Sequence, residues 1–217
     1  MASENFLASA RSGVDVSHHQ GAVGWPALAR TGVKFACLKA TKCGDFRDPS
    51  FPTNWAQVVS AGIPVGAHHF FKQCKSGKDQ AGTLLATVPP LENPLPTVID
   101  AEHRGPCAKG TPQFDPATEI AVFLDVVQAQ AGCCAIIFGT PEFNSAHLSQ
   151  SFRNERSWVR SSFVTPYLRK AEWVCKQYHK SGRRSGVMGP VDLDVFHGTP
   201  ETFAYFIKTA NCFAAKP

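Results

Sequence analysis

Between Gly13 and Phe138 the sequence alternates five times between a short apolar run and a segment bearing helix signals. No other feature limits the fold as much. The apolar runs cover residues 13–17, 33–40, 63–71, 97–101 and 133–138. They are too continuous to expose one face, the pattern of parallel strands buried on both sides. Helices are expected over 25–30, 53–61, 77–88 and 117–131, with a short one after Thr140-Pro141. Gly32, Gly62 and Gly132 stop three of them, Pro89-Pro90 stop another, and Asp115-Pro116 pairs a cap with proline at the first helical position. Three further strand-like runs follow at 156–161, 172–177 and 191–196, without strong helices between them. Eight strands are enough to close a barrel around a filled interior. The fold class expected is therefore α/β, an irregular barrel of about five β/α units followed by three β-strands. At 217 residues and 43% hydrophobic content, one barrel over 13–217 behind an extension of residues 1–12 suits the length.

Such barrels gather their chemistry at the carboxyl ends of the strands. That rule collects Asp15 and His18, Lys39 and Thr41, His68 to Phe70, Asp100 and Glu102, Phe138, Gln177 and Tyr178, and Asp192 and Asp194. The fourth strand, within P-T-V-I-D-A-E-H-R (96–104), carries the sharpest signal. Side chains alternate along a strand, so Asp100 and Glu102 emerge on one face, roughly 7 Å apart at Cα. Two close carboxyls separate into a proton donor and an ionised neighbour, the division of labour that glycosidic cleavage needs. The same nine residues also suit a strand that enters a solvated loop with its acids paired to His103 and Arg104.

The net charge of +5 comes without a basic run longer than Arg183-Arg184, which argues against a nucleic-acid tail. A mildly cationic surface suits approach to anionic polymers such as cell walls. Nothing resembles a membrane span. The first residues, M-A-S-E-N-F-L-A-S-A-R, have no signal-peptide pattern. The chain is thus expected to be made in a cytoplasm, or supplied after export as a mature form. Cys37, Cys133, Cys134 and Cys175 fall in apolar runs, so mostly free, buried thiols are expected. Cys74 and Cys107 are the pair best placed for any bridge.

Several ordered motifs carry a family resemblance: G-V-D-V-S-H-H-Q-G (13–21), G-V-K-F-A-C-L-K-A-T (32–41), N-W-A-Q-V-V-S-A-G-I-P-V-G-A-H-H-F-F (54–71), P-T-V-I-D-A-E (96–102) and V-D-L-D-V-F (191–196). Together they resemble the glycoside hydrolase family 25 lysozymes over about Gly13 to His197. The resemblance implies an irregular TIM-like barrel that cleaves the β-1,4 bond between N-acetylmuramic acid and N-acetylglucosamine in bacterial peptidoglycan. It implies Glu102 as general acid and Asp100 as the group orienting the substrate's N-acetyl nucleophile, with Asp15 and Asp192 as further active-site acids. His69, Phe70, Phe138, Gln177, Tyr178 and Asp194 are the implied substrate contacts. A monomer acting at the cell wall, as a phage endolysin or a secreted enzyme, is expected, with no cofactor, metal, nucleic acid or membrane insertion. Departures from the family pattern fall in the cleft: His68 and Phe138 stand where tyrosine is usual, Lys176 where tryptophan is common, and Asp194 where asparagine is more frequent.

Other readings remain open from sequence. The altered cleft residues suit a barrel that binds glycan but cleaves it poorly. His18-His19 and His68-His69 suggest zinc and a metal-dependent deacetylase. Neighbouring strand residues face opposite ways, however, so only one of each pair can face the centre. Lys39, on an otherwise apolar strand, reads as a buried partner for an acid.

Overall fold

The computed structural model describes residues 11–102, 114–132, 135–148, 152, 155–161 and 173–210. Eight strands close into a ring: β1 (Arg11–Val16), β2 (Phe35–Lys42), β4 (Val65–Phe70), β5 (Val98–Ala101), β6 (Ile136–Gly139), β7 (Ser157–Arg160), β8 (Trp173–Gly182) and β9 (Val191–Phe196). A two-residue strand, β3 (Phe46–Arg47), hangs antiparallel on β2 outside the ring. Pairings from β1 through β2, β4, β5, β6, β7 to β8 are parallel. β9 runs antiparallel to both β8 and β1 and completes the closure. The reversal follows from the short 183–190 connection, which has no crossover helix to return the chain to the opposite end. The 180s, expected as a loop excursion, are partly strand, since β8 runs on to Gly182. β1 begins at Arg11, paired with Phe196, so the strand takes in the last two residues of the expected extension. Residues 1–10 lie outside those described.

Helices α1 (Trp25–Arg30), α2 (Phe51–Ser60), α3 (Gly77–Leu85) and α4 (Pro116–Ala131) cover the outside of the barrel, and α5 (Pro141–Phe143) is a single turn after β6. The start signals act as expected: Asp115 accepts from Thr118 N–H at 2.9 Å, and Gly132 closes α4 in the left-handed region at φ 73°. Outward-facing strand residues such as Val14, Leu38, Ala67 and Ile99 pack with Trp25, Trp55, Leu84 and Phe123 of these helices into one large apolar cluster.

A second cluster fills the barrel. Alternation turns Phe35 and Cys37, Val98, Ile136 and Phe138, Trp158, Cys175 and Phe196 inward. Gly13 opposes Phe35 in the ladder, and a side chain there would overlap the Phe35 ring. A helix absent from the expectation above, α6 (Pro200–Ala210), plugs this end with Phe203 and Phe206. Their rings lie 5.0 and 5.1 Å from Phe196. Its start signal, Thr199-Pro200, is the same cap-and-proline pattern as Asp115-Pro116, and Thr199 Oγ1 accepts from Thr202 N–H at 3.3 Å. With this end sealed by aromatics, the polar chemistry is confined to the other mouth.

Cys37, Cys43 and Cys175 are free thiols. Burial pushes the Cys37 and Cys175 thiols well above their usual range. Cys74 is disulfide-bonded; Cys107, its expected partner, lies outside the described residues, as do Cys133 and Cys134. Among the described residues no helix is long and apolar enough to cross a membrane.

Candidate active site

The open mouth is a cleft lined by acids from three strands: Asp15 of β1, Asp100 of β5 with Glu102 just beyond it, and Asp192 of β9. Phe70, Phe138 and Gln177 line it too. Asp15 and Asp192 are direct partners in the antiparallel β1–β9 ladder, which brings their Cβ atoms to about 4.5–5.5 Å. Asp100 sits in register with Phe70 on one side and Phe138 on the other. Glu102 is 8% exposed. His103 and Arg104, the alternative partners for these acids, lie outside the described residues.

Three basic side chains face the acids. His68 points into the cleft, its Nε2 3.1 Å from Asp15 Oδ1. Burial opposes a charged ring there, but the adjacent Asp15 and Asp100 charges outweigh it and raise the His68 pKa. Lys39 reaches the cleft from β2 with its ammonium 5.0 Å from the Phe70 ring centroid. Burial lowers its pKa, and Asp100 works against that fall. Arg160, the last residue of β7, places Nη1 2.7 Å from Glu102 Oε1. Lys39 was legible as an acid's partner. Arg160 was not singled out, although it ends a strand at the active rim, two residues beyond the inward-facing Trp158.

The loop after β1 forms one wall of the mouth. Ser17 and Gln20 make a reciprocal capping box, with Ser17 N–H donating to Gln20 Oε1 at 2.9 Å. Gln20 Nε2 donates to the Pro190 carbonyl at 3.0 Å, tying this loop to the β8–β9 connection. Asp48, 2% exposed, accepts from His18 N–H at 3.1 Å and from Ser50 N–H at 3.0 Å, and its Oδ2 lies 2.6 Å from His18 Nδ1. His18 is thereby engaged, and His19 is left at the cleft.

Three of the expected substrate contacts lie elsewhere. His69 is 0% exposed and faces the helix layer, its ring 5.2 Å from Phe123. Gln80 Oε1 already accepts Lys72 N–H, so His69 Nε2–H donates to that oxygen at 3.0 Å, and Nδ1 accepts from the Thr41 hydroxyl at 2.7 Å. Strand alternation gives the cleft to His68 and the wall to His69. Tyr178 is excluded for the same reason: Gln177 points inward, while Tyr178 packs on the outer cluster and its hydroxyl accepts from Arg184 Nη2 at 3.3 Å.

Asp194 is excluded by strand direction. Because β9 is antiparallel, its first residues face the mouth, so Asp192 lines the cleft and Asp194 lies one layer deeper at 0% exposure. Trp158 Nε1–H donates to Asp194 Oδ1 at 3.2 Å, and Oδ2 has no hydrogen-bond partner among the described residues. Burial, followed by the Asp15 and Asp192 charges, raises the Asp194 pKa well above the usual carboxyl range. Between the unfolded value and that raised value the folded protein binds the extra proton, so stability falls as pH rises. Asp194→Asn keeps the acceptor for Trp158 and has no proton to take up on folding. It should raise the unfolding free energy at pH 7 by about 1–3 kcal/mol, a gain that shrinks as pH falls toward 4. Urea unfolding at several pH values checks this; a variant less stable than wild type at pH 7 would refute it.

The histidine pairs do not converge: His18 is held by Asp48 and His69 is sealed in the wall. Among the described residues no group of three or more His, Cys, Asp or Glu side chains is arranged to hold a metal ion.

Comparisons with known proteins converge on one family. The family model described as "Glycosyl hydrolases family 25" matches residues 14–187. Lysozyme M1 of Streptomyces globisporus is 31% identical over 199 residues, covering 86% of this chain and 68% of that protein. The structure of a family 25 glycosyl hydrolase from Bacillus anthracis superposes with a TM-score of 0.82 at 31% identity, over 90% of this chain and 92% of that one. The bacterial lysozyme of Streptomyces coelicolor gives 0.80 at 29%, over 92% and 96%.

Proposed function

The chain belongs to glycosyl hydrolase family 25 and is a peptidoglycan-directed glycoside hydrolase of the lysozyme type, and from that premise we propose that it cleaves the β-1,4 bond between N-acetylmuramic acid and N-acetylglucosamine, with Glu102 as general acid. The observation that carries this reading is the convergence of Asp15, Asp100, Glu102 and Asp192 on one open cleft whose opposite end is closed.

Glu102 protonates the glycosidic oxygen as the bond to the sugar's anomeric carbon breaks. The carbonyl oxygen of the substrate's own 2-acetamido group attacks that carbon, and Asp100 holds the amide N–H and offsets the positive charge that develops. Substrate assistance of this kind is a known variant of the two-carboxylate scheme. Glu102, now ionised, takes a proton from water as the water opens the cyclic intermediate, which returns the site to its starting state. Asp15, Asp192 and His68 form the charged floor beside the reacting ring, and Phe70, Phe138 and Gln177 contact the sugars. The enzyme acts as a monomer on the periplasmic or extracellular side of the wall.

Digestion of purified peptidoglycan followed by reducing-end analysis tests the bond. New muramic acid termini are expected, and N-acetylglucosamine termini would assign the cut to the other linkage. A second reading, a barrel that binds glycan and turns it over poorly, is favoured by one contact: the carboxyl that must supply the proton is engaged by Arg160. Equal pull-down on peptidoglycan by wild type and Glu102→Gln, with no turnover by either, would select it.

A further inference from the structure

We propose that Arg160 determines substrate specificity by binding a carboxylate carried on the glycan, so that the cleft selects anionic muramyl strands over neutral N-acetylglucosamine polymers. The inference rests on the muramidase reading of the cleft and adds to it a recognition element that the four acids cannot provide.

Arg160 lines the mouth, with 31% of its side chain exposed. Its one polar contact among the described residues is Nη1 to Glu102 Oε1 at 2.7 Å. A guanidinium carries five N–H donors and no acceptor, and a contact to one carboxylate oxygen uses a fraction of that capacity. The cleft's other basic groups are placed differently. His68 is 8% exposed at the side chain and bonded to Asp15, and Lys39 lies over Phe70 in the field of Asp100. Arg160 alone among them combines a permanent charge with a planar fork that matches a carboxylate through two parallel hydrogen bonds.

The chemistry of the glycan provides the counterpart. A polymer of N-acetylglucosamine has no anion to offer. A muramic acid residue carries a carboxylate on its lactyl ether, and where that group is amide-linked to a peptide, the peptide supplies carboxylates instead. When one of these takes the open donors of Arg160, it shares or displaces the contact with Glu102. The substrate's anion thus reaches the proton donor through one intervening side chain, and a neutral glycan leaves that contact as it stands.

The test is binding of wild type, Arg160→Gln and Arg160→Lys to glycan strands whose carboxylates are free or converted to amides. Salt of about 0.5 M screens the general surface charge. Peptide-free strands, which retain the lactyl carboxylate, and peptide-bearing strands form separate arms, and the arm showing the difference identifies the source. Charge-assisted hydrogen bonds predict that amidation weakens wild-type binding by about 10–100-fold. The ratio should fall to near 1 in Arg160→Gln and lie between in Arg160→Lys. A wild-type ratio near 1 in both arms overturns the proposal, as does a ratio that persists in Arg160→Gln. If Arg160→Gln does not fold, the wild-type ratio and its reduction in Arg160→Lys decide. Because the readout is affinity, failure of wild type to cleave any strand counts against the muramidase reading and leaves this result interpretable.

Discussion

Glu102→Gln should lower kcat on peptidoglycan by about 10²–10⁴-fold, the range contributed by a positioned proton donor. The leaving sugar oxygen is a poor leaving group without a proton, and the same carboxyl is needed again to activate the water. One substitution therefore slows both halves of the reaction. Glutamine matches the size of Glu102 and keeps an oxygen for Arg160, so the pocket's shape is preserved. The loss should accordingly appear in kcat, with KM close to wild type, because the interaction removed is made only in the transition state. Asp100→Asn should follow with a smaller fall, since the amide loses the charge that offsets the developing cation but still occupies its place beside the 2-acetamido group. Steady-state release of reducing ends, with thermal unfolding as a check on folding, measures both. Activity of Glu102→Gln within a few-fold of wild type would remove Glu102 from the role proposed for it.

The second large effect is on acid stability. His69 is held neutral in the wall by burial, which lowers its pKa from the ordinary imidazole value to about 4. In the unfolded chain the same ring takes up a proton near pH 6.5. As pH falls from 6.5 to 4 the unfolded state binds a proton that the folded state refuses, so stability present above pH 6.5 is lost across that window. The contribution of this ring amounts to about 3 kcal/mol. His69→Gln retains hydrogen-bonding groups and does not titrate. Wild type should therefore lose about 3 kcal/mol more than the variant between pH 7 and pH 4 in urea unfolding. Comparing the two proteins removes the opposing trend from Asp194, which both contain. A difference that does not change with pH would show that His69 is not the group responsible.

Asp194 and His69 share a lesson about alternation and direction. The repeated apolar runs and their capped helices made the barrel legible, since continuous hydrophobic strands can be satisfied only by cover on both faces. Period-two alternation also sorted the β5 acids onto one face, and Asp100 and Glu102 do share the cleft. The same alternation applied to H-H-F and Q-Y requires one member of each pair to face away, yet parity alone does not say which. The phase is set by the neighbours in the ladder: His68 pairs with Val98 and Lys39, and His69 with Ile99 and Thr41. For Asp194 the phase was right and the depth was wrong, because a carboxyl-end rule assumes a parallel strand and β9 runs the other way.

What the sequence determined by itself is the set of local elements, the barrel and the family, because hydrophobic period, capping residues and ordered motifs are properties of short stretches. Which side chains meet at the mouth is settled only when the ring closes. Arg160 and Glu102 are brought to 2.7 Å from strands separated by β6 and its helices. Asp15 and Asp192 become partners through an antiparallel closure across nearly the whole chain. Closure of the ring fixes these distances through the combined register of eight strands. Register between distant strands is set by cooperative packing, and no short stretch of sequence encodes it.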